Sequence, residues 1–386
     1  MRLRAAIAAL MLSALPAWAE LTIPVHYLRQ IVPQPPTLSN LDPRPERLGI
    51  DGASLALADN QTTGQFLGQT YTLEITEVPE GGDFAAAMRT ALAATPFVIL
   101  DAPADTLLTV ADMSEAGEAL LFNASAPGRR LRSQDCRPNL FHTIPSLDMR
   151  TDALMQFLLS RRWTGLALIH GTHAEDLAFA DALTNSAGKF GLKIGATKEW
   201  AFDADMRRNA AQEMPLFTQD LGRHDVLLLA DEIGDFALYI PYNTWEPRPV
   251  AGSEGLRPVA WDRVVEQWGA AQLQSRFEDL AARPMRPLDY AAWAAFRAIG
   301  EAVTRTGTDD PAALRAYMLS DAFELAGFKG RPLTFRSWNG QLRQPIPLVH
   351  AHAQAALAPL DGFLHPRTEL DTLGLDAPES GCARFR

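Results

Sequence analysis

The chain reads as an α/β protein of two lobes, each a mostly parallel sheet flanked by helices. Short apolar strands alternate with helical stretches through most of its 386 residues, the order that yields parallel sheets covered by helices. The length exceeds the ~250–300 residues at which a single core usually stops growing. At 47% hydrophobic and 21% charged residues, the composition is that of an ordinary globular protein.

The N-terminus carries basic Arg2 and Arg4, an apolar stretch over 5–15 and small residues ending Ala17-Trp18-Ala19. That order is a Sec signal peptide, residues 1–19, cut before Glu20. The apolar run is about half of the ~20 residues that span a bilayer, and no cysteine stands at the cut to take a lipid anchor. The expected product is soluble and periplasmic.

The first strand is 21–28, followed by a loop that Pro33, Pro35, Pro36, Pro43 and Pro45 keep from being helical. A helix from about Pro45 shows Leu48, Ala53, Leu55, Ala56 and Leu57 on an apolar side and closes at Gly64 and Gly68. Strand 71–77, helix 83–94, strand 97–100, helix 107–117 and strand 119–122 complete the first set. Residues 125–139 are loop. A second set follows: helix 151–161, strand 165–170, helix 175–187, strand 193–200 and strand 225–230. Residues 256–261 read as a further short strand and 264–282 as a long helix. Helices 288–304 and 311–319 precede a hairpin of 332–336 and 342–348 around Trp338-Asn339-Gly340, since Asn-Gly is a strong tight-turn signal. This divides the mature chain into lobe 1 (20–145 and about 284–345), lobe 2 (146–283 and about 346–350) and a tail (351–386) expected to drape over the surface.

Without Arg2 and Arg4 the 35 basic residues become 33 against 46 acidic ones, a net charge of −13. Nucleic acid is excluded as a partner, because phosphate binding needs clustered positive charge. Two cysteines, Cys136 and Cys382, are the whole complement; in an oxidising compartment such a pair forms a disulfide more often than two free thiols. No nucleophile elbow, phosphate-cradling glycine loop or zinc-protease motif is present, so neither enzymatic activity nor a resident cofactor is expected. Trp261, Trp268, Phe277, Trp293 and Phe296 recur at helical spacing and read as core.

Several segments carry a resemblance. Gly52-Ala53-Ser54-Leu55-Ala56-Leu57-Ala58-Asp59-Asn60 with Gly64 and Leu67-Gly68, and Asn139-Leu140-Phe141-His142-Thr143-Ile144-Pro145-Ser146, resemble the opening helix and first interlobe crossing of periplasmic solute-binding proteins of the branched-chain amino-acid importer type. His142 stands where that pattern usually has arginine. The segments Tyr239-Ile240-Pro241-Tyr242-Asn243-Thr244-Trp245, Phe328-Lys329-Gly330-Arg331-Pro332 and Leu370-Asp371-Thr372-Leu373-Gly374 are similar to a subgroup associated with alcohol dehydrogenases that depend on pyrroloquinoline quinone (PQQ). The resemblance implies a type I periplasmic-binding-protein fold, a Venus flytrap that closes on a small molecule. It also implies an inner-membrane ABC permease as partner, and PQQ or an alcohol-derived metabolite as ligand. A sensor or accessory protein of a periplasmic PQQ-dependent alcohol dehydrogenase is the alternative, and a monomer is expected.

In parallel α/β sheets ligands gather at the carboxyl ends of strands. Candidate ligand-binding residues are therefore Asp101, Ala102 and Asp105, Asn123 to Ser125, His170, His173 and Glu175, Asp231 with Glu232, and Tyr242, Asn243 and Trp245, together with Arg129 and His142. Asp101 and Asp105 depart from the small hydroxyl residues by which the resembled proteins hold an amino-acid carboxylate. For PQQ, a flat quinone with three carboxylates, Trp245 and Tyr242 are candidate stacking faces. Arg129, Arg130, Arg132 and Arg248 are the nearest loop cations for gripping its carboxylates. Packing at the hinge and surface ion pairing are the competing roles for these residues. His170 and His173 with Glu175 and Asp176 lack the helical spacing of a zinc site and fit polar or capping roles better, so no metal is assigned.

Overall fold

The computed structural model describes residues 20–33, 43–200 and 210–385; the expected signal peptide and Pro35 and Pro36 lie outside them. The N-terminal part is built from β1 (Leu21–Gln30), α1 (Ile50–Gly64), β2 (Gln69–Val78), α2 (Phe84–Ala94), β3 (Phe97–Asp101), α3 (Ala104–Ala111), β4 (Leu120–Asn123) and β5 (Leu140–His142). Its five strands are all parallel in the order β2-β1-β3-β4-β5. Phe97, Val98, Ile99 and Leu100 are buried without alternation, as a strand covered on both faces must be.

The next part repeats the pattern with α4 (Leu147–Ser160), β6 (Gly165–His170), α5 (Ala174–Lys189), β7 (Lys193–Glu199), α6 (Ala210–Thr218), β8 (Val226–Ala230) and β9 (Val250–Gly252). These strands are parallel in the order β7-β6-β8-β9. In both sheets the order reverses beside the first strand, between β1 and β3 and between β6 and β8. Such a reversal opens a crevice at the carboxyl ends of the strands, because the flanking connections leave in opposite directions.

The remaining elements are β10 (Arg257–Pro258), α7 (Ala270–Ala281), α8 (Pro287–Thr306), α9 (Pro311–Met318), β11 (Thr334–Phe335), β12 (Leu342–Arg343), β13 (Ile346–His350) and β14 (Ala353–Ala358). Several expectations are corrected here. The strand expected over 256–261 is only β10, and it pairs antiparallel with β13 rather than joining a parallel sheet. The helix expected from Val264 starts at Ala270, because Trp268 and Gly269 take positive φ, which a helix cannot continue through. The helix expected from Thr151 starts at Leu147, where the Ser146 hydroxyl accepts from the Met149 N–H. Only β11 and β12 form the expected hairpin; β13 belongs to a separate sheet with β14.

The tail is more built than a surface drape. After β14 it buries Leu370, Leu373 and Phe385, and Asp371 Oδ1 accepts from Arg336 Nε at 2.9 Å and Arg343 Nε at 2.7 Å. A disulfide joins Cys136 to Cys382. Between these anchors the Gly374 N–H donates to Asp152 of α4 at 2.8 Å, and Lys189 of α5 donates to the Gly374 carbonyl at 2.9 Å. The tail therefore touches both halves of the molecule.

One core fills the space between the first sheet and α1, α7 and α8, with Ile23, Tyr27, Ala53, Ile99, Phe277 and Trp293 among its buried members. It also takes in Val259, Trp261 and Val265, which the division by sequence assigned to the second lobe. Trp261 stacks on Tyr290 with ring centroids 4.9 Å apart. Full burial of each such ring contributes about 1.5–3 kcal/mol. Gly52 lets α1 approach α8: a Cβ there would overlap the Asp289 backbone. A second core lies under α4 and α5 and is completed by Ile346, Leu348 and Ala358 of β13 and β14.

Candidate functional site

The carboxyl ends of both sheets meet in a cavity of about 400 Å³, within the size range of small-molecule sites. One wall comes from Asp101 at the end of β3, Ala124 and Ser125 after β4, and Arg286, Pro287 and Leu288 at the start of α8. The facing wall comes from Arg150 of α4, Glu232 after β8 and Gly252 and Ser253 after β9. Arg44 follows β1, and Arg257 and Val259 line the segment between the halves.

Asp101 is buried by the strand ends around it. Tyr27 donates to its Oδ2 at 3.3 Å, and Arg29 Nε lies 3.5 Å from the same oxygen. Burial pushes its carboxyl above the ordinary range, opposed by Arg29, a hydrogen bond from Ser125, and Arg44. The Ala102 N–H donates to Ser125 Oγ at 3.0 Å, tying the ends of β3 and β4 together.

On the other wall, Glu232 takes both terminal nitrogens of Arg150, at 2.5 and 3.0 Å, and the Ser253 hydroxyl at 3.1 Å. Arg150 also donates to the Pro258 carbonyl at 2.9 Å and lies over the Phe179 ring. The turn carrying Glu232 is set from below by two carboxylates. Asp231 accepts the N–H groups of Gly234, Asp235, Phe236 and Ala237. Asp176 Oδ1 accepts that of Glu232 at 2.7 Å. Asp176 Oδ2 is buried without a partner, and burial raises this carboxyl to about 6, with Asp231 adding to the rise.

Of the residues singled out from the sequence, Asp101, Ala124, Ser125 and Glu232 line this cavity. Ala102 and Asp231 brace its walls, as just described. Asn123 and His142 sit beneath: Asn123 Nδ2 donates to His142 Nδ1 at 3.0 Å and to the Ala126 carbonyl at 2.8 Å. Burial, with Arg132 adding, holds His142 well below its usual pKa and hence neutral. The others lie away from the lining. Asp105 pairs with Arg130. Arg129 pairs with Asp148 at 3.1 Å, beside α5 and the tail. His170 Nδ1 bonds its neighbour's carbonyl, that of Gly171, at 2.8 Å. His173 precedes α5 as its N-cap, with Glu175 in the first turn; Asp235 lies 2.6 Å from His173 and raises its pKa. Tyr242 and Trp245 are exposed, and Asn243 Nδ2 donates to the Tyr239 carbonyl. Arg132 is fully buried, donating to the Ala126, Gly128 and Ile144 carbonyls and to Gln341. Among the described residues no group of three or more His, Cys, Asp or Glu could hold a metal ion.

Sequence reasoning missed Arg44, Arg150, Arg257, Arg286 and Ser253. Two of them had a signal. Arg44 follows the first strand, to which the carboxyl-end rule applies equally. Arg286 directly precedes Pro287, a proline at a helix start; a cation there opposes the helix dipole and so asks for another reason to be present.

Among the described residues no helix is long and apolar enough to cross a membrane. No family model and no curated protein matches the chain. Solved structures do match. A branched-chain amino acid ABC transporter periplasmic ligand-binding protein from Burkholderia xenovorans is 14% identical, with a TM-score of 0.71, covering 94% of this chain and 100% of its own. A periplasmic binding protein from Burkholderia mallei is 13% identical, with a TM-score of 0.66 over 95% and 99%. An ABC transporter solute-binding protein from R. palustris, in complex with benzoate, is 11% identical, with a TM-score of 0.62 over 94% and 99%. The chain thus has the type I periplasmic-binding-protein fold.

Proposed function

We propose that this protein is a periplasmic solute-binding component of an ABC importer, which takes a small molecule into the cavity between its lobes and presents it to a membrane permease. The observation that carries this reading is the cavity itself. Charged and hydroxyl side chains from the carboxyl ends of two separate parallel sheets converge on one space of about 400 Å³. A ligand held by both walls favours the closed arrangement by its contacts with each. The named functions of the structural neighbours, and the export signal read in residues 1–19, support the same role.

PQQ is the finer candidate for the cargo. Its carboxylates suit a lining that contains arginines, of which Arg150 and Arg257 are already paired with Glu232 and Asp262, whereas its flat rings find no aromatic wall among the described lining residues. Trp245 and Tyr242 are placed elsewhere, so stacking on them is no part of this proposal.

The test is transport. An ABC permease that this protein serves, reconstituted in vesicles, should hydrolyse ATP and accumulate solute faster when the loaded protein is added. A protein that binds solute yet leaves ATP hydrolysis unchanged would instead fit a sensor or dehydrogenase accessory.

A further inference from the structure

We infer that residues 370–385 form a strap between the lobes and that its short segment from Asp371 to Gly374 limits how far they open. The inference rests on the solute-binding reading and adds to it a device that governs the motion.

The strap is fastened to the two lobes in turn. Asp371 is gripped by Arg336 and Arg343 of the β11–β12 hairpin in the first lobe. Arg336 is fully buried and also donates to the carbonyls of Leu370, Leu373 and Leu375. Leu373 itself is buried in the core of the second lobe. Gly374 follows, its N–H donating to Asp152 of α4 and its carbonyl accepting from Lys189 of α5, and these two side chains pair with each other at 2.9 Å. The chain then returns to the first lobe. The Ser380 hydroxyl donates to the Arg132 carbonyl at 2.9 Å and the Gly381 N–H to Ser133 Oγ at 3.0 Å. Cys382 is bonded to Cys136, and Phe385 meets Phe141 edge-on with ring centroids 6.0 Å apart.

Chain length turns these contacts into a limit. A fully extended chain gains at most about 3.6 Å per residue, so the anchors at Asp371 and Gly374 cannot stand more than roughly 11 Å apart. The run from Gly374 to Cys382 reaches roughly 29 Å and leaves slack. The short segment therefore sets the range, while the disulfide only fixes the end of the strap. Its second-lobe anchor is α4, the helix that carries Arg150 into the cavity wall. Rotating that lobe away must break the Gly374 bonds or draw Leu373 out of its core, and either is unfavourable. Gly374 is wedged between the lobes: its φ is +80°, and a Cβ would stand 2.7 Å from Met149 Cγ and 3.3 Å from Arg336 Nη1. By penalising wide opening, the strap keeps a larger share of the population near the closed arrangement that a solute selects.

The test is small-angle X-ray scattering of the solute-free protein, with hydrogen exchange over 372–375 to report whether the strap is released. Gly374→Ala forces the backbone off α4. It should speed that exchange about tenfold and enlarge the radius of gyration. If it fails to fold, Lys189→Met combined with Asp152→Asn removes the ion pair without leaving a buried charge, and the same two changes are expected. Serine in place of both Cys136 and Cys382 should leave the radius at the parent's value, because the short segment stays fastened. A released strap with an unchanged radius would overturn the inference. So would exchange at the parent's rate in every variant, or a serine pair that opens the protein as far as Gly374→Ala does. Neither measurement uses a solute, so these outcomes leave the solute-binding reading to the transport test.

Discussion

Arg150 of α4 and Glu232 after β8 form a two-pronged ion pair, at 2.5 and 3.0 Å, in the wall of the cavity. Helix and strand-end turn belong to the same half of the molecule, so the pair fixes the shape of one jaw before a solute arrives. Glu232→Gln removes the charge that balances a mostly buried Arg150. It should cost about 1–3 kcal/mol of stability, read as a lower denaturant midpoint. It should also strengthen carboxylate binding, because the wall loses a negative charge. An unchanged midpoint would mean that the pair contributes nothing net.

Asp176 supports a prediction about pH. Its carboxyl is raised to about 6 from an ordinary value near 4, so between those values the folded chain holds a proton that the unfolded chain has released. Stability should therefore fall as pH rises through this window. Asp176→Asn keeps an oxygen for the Glu232 N–H and removes the buried charge. The variant should be more stable than the parent by about 1–2 kcal/mol above pH 6, and the advantage should vanish near pH 4. Thermal melts at both pH values check this; an advantage independent of pH would contradict it.

The bond between Cys136 and Cys382 closes a sequence separation of 246 residues. Paired substitution to serine should cost about 3–5 kcal/mol without unfolding the protein, because Asp371, Gly374 and the buried Leu370 and Leu373 still hold the tail. Hydrogen exchange should rise first in 376–385, and a uniform rise across both sheets would be the wrong outcome.

Gly52 sets the approach of α1 to α8. Gly52→Ala drives a methyl group into the Asp289 backbone, and overpacking of this kind costs about 1–3 kcal/mol. Gly188, with open space around it in α5, is the control: alanine there should be neutral or stabilising.

The α/β class was legible because parallel strands such as Phe97 to Leu100 and Val226 to Ala230 are continuous apolar runs that no other local structure explains. Element ends were less so. Trp268 stops a helix by its backbone conformation, and nothing in its residue type announces that. The tail was misread because its order rests on long-range partners, Arg336 for Asp371 and Asp152 for Gly374, which no local pattern reveals. At the site, Asp101, Ala124, Ser125 and Glu232 followed from the strand-end rule. Arg150 lies one turn inside a helix, at a position the rule does not reach, and Arg257 sits on a strand whose pairing was not foreseen.

The most direct test of a solute held in this cavity is calorimetric titration of the parent protein and of Leu288→Trp with the tightest-binding solute. Leu288 is half-buried in the cavity wall, so the larger ring fills space there without adding charge. The expected result is saturable one-to-one binding by the parent and at least a tenfold loss in the variant at an unchanged fold. Equal affinity in the two proteins would contradict it, because the solute would then be bound elsewhere.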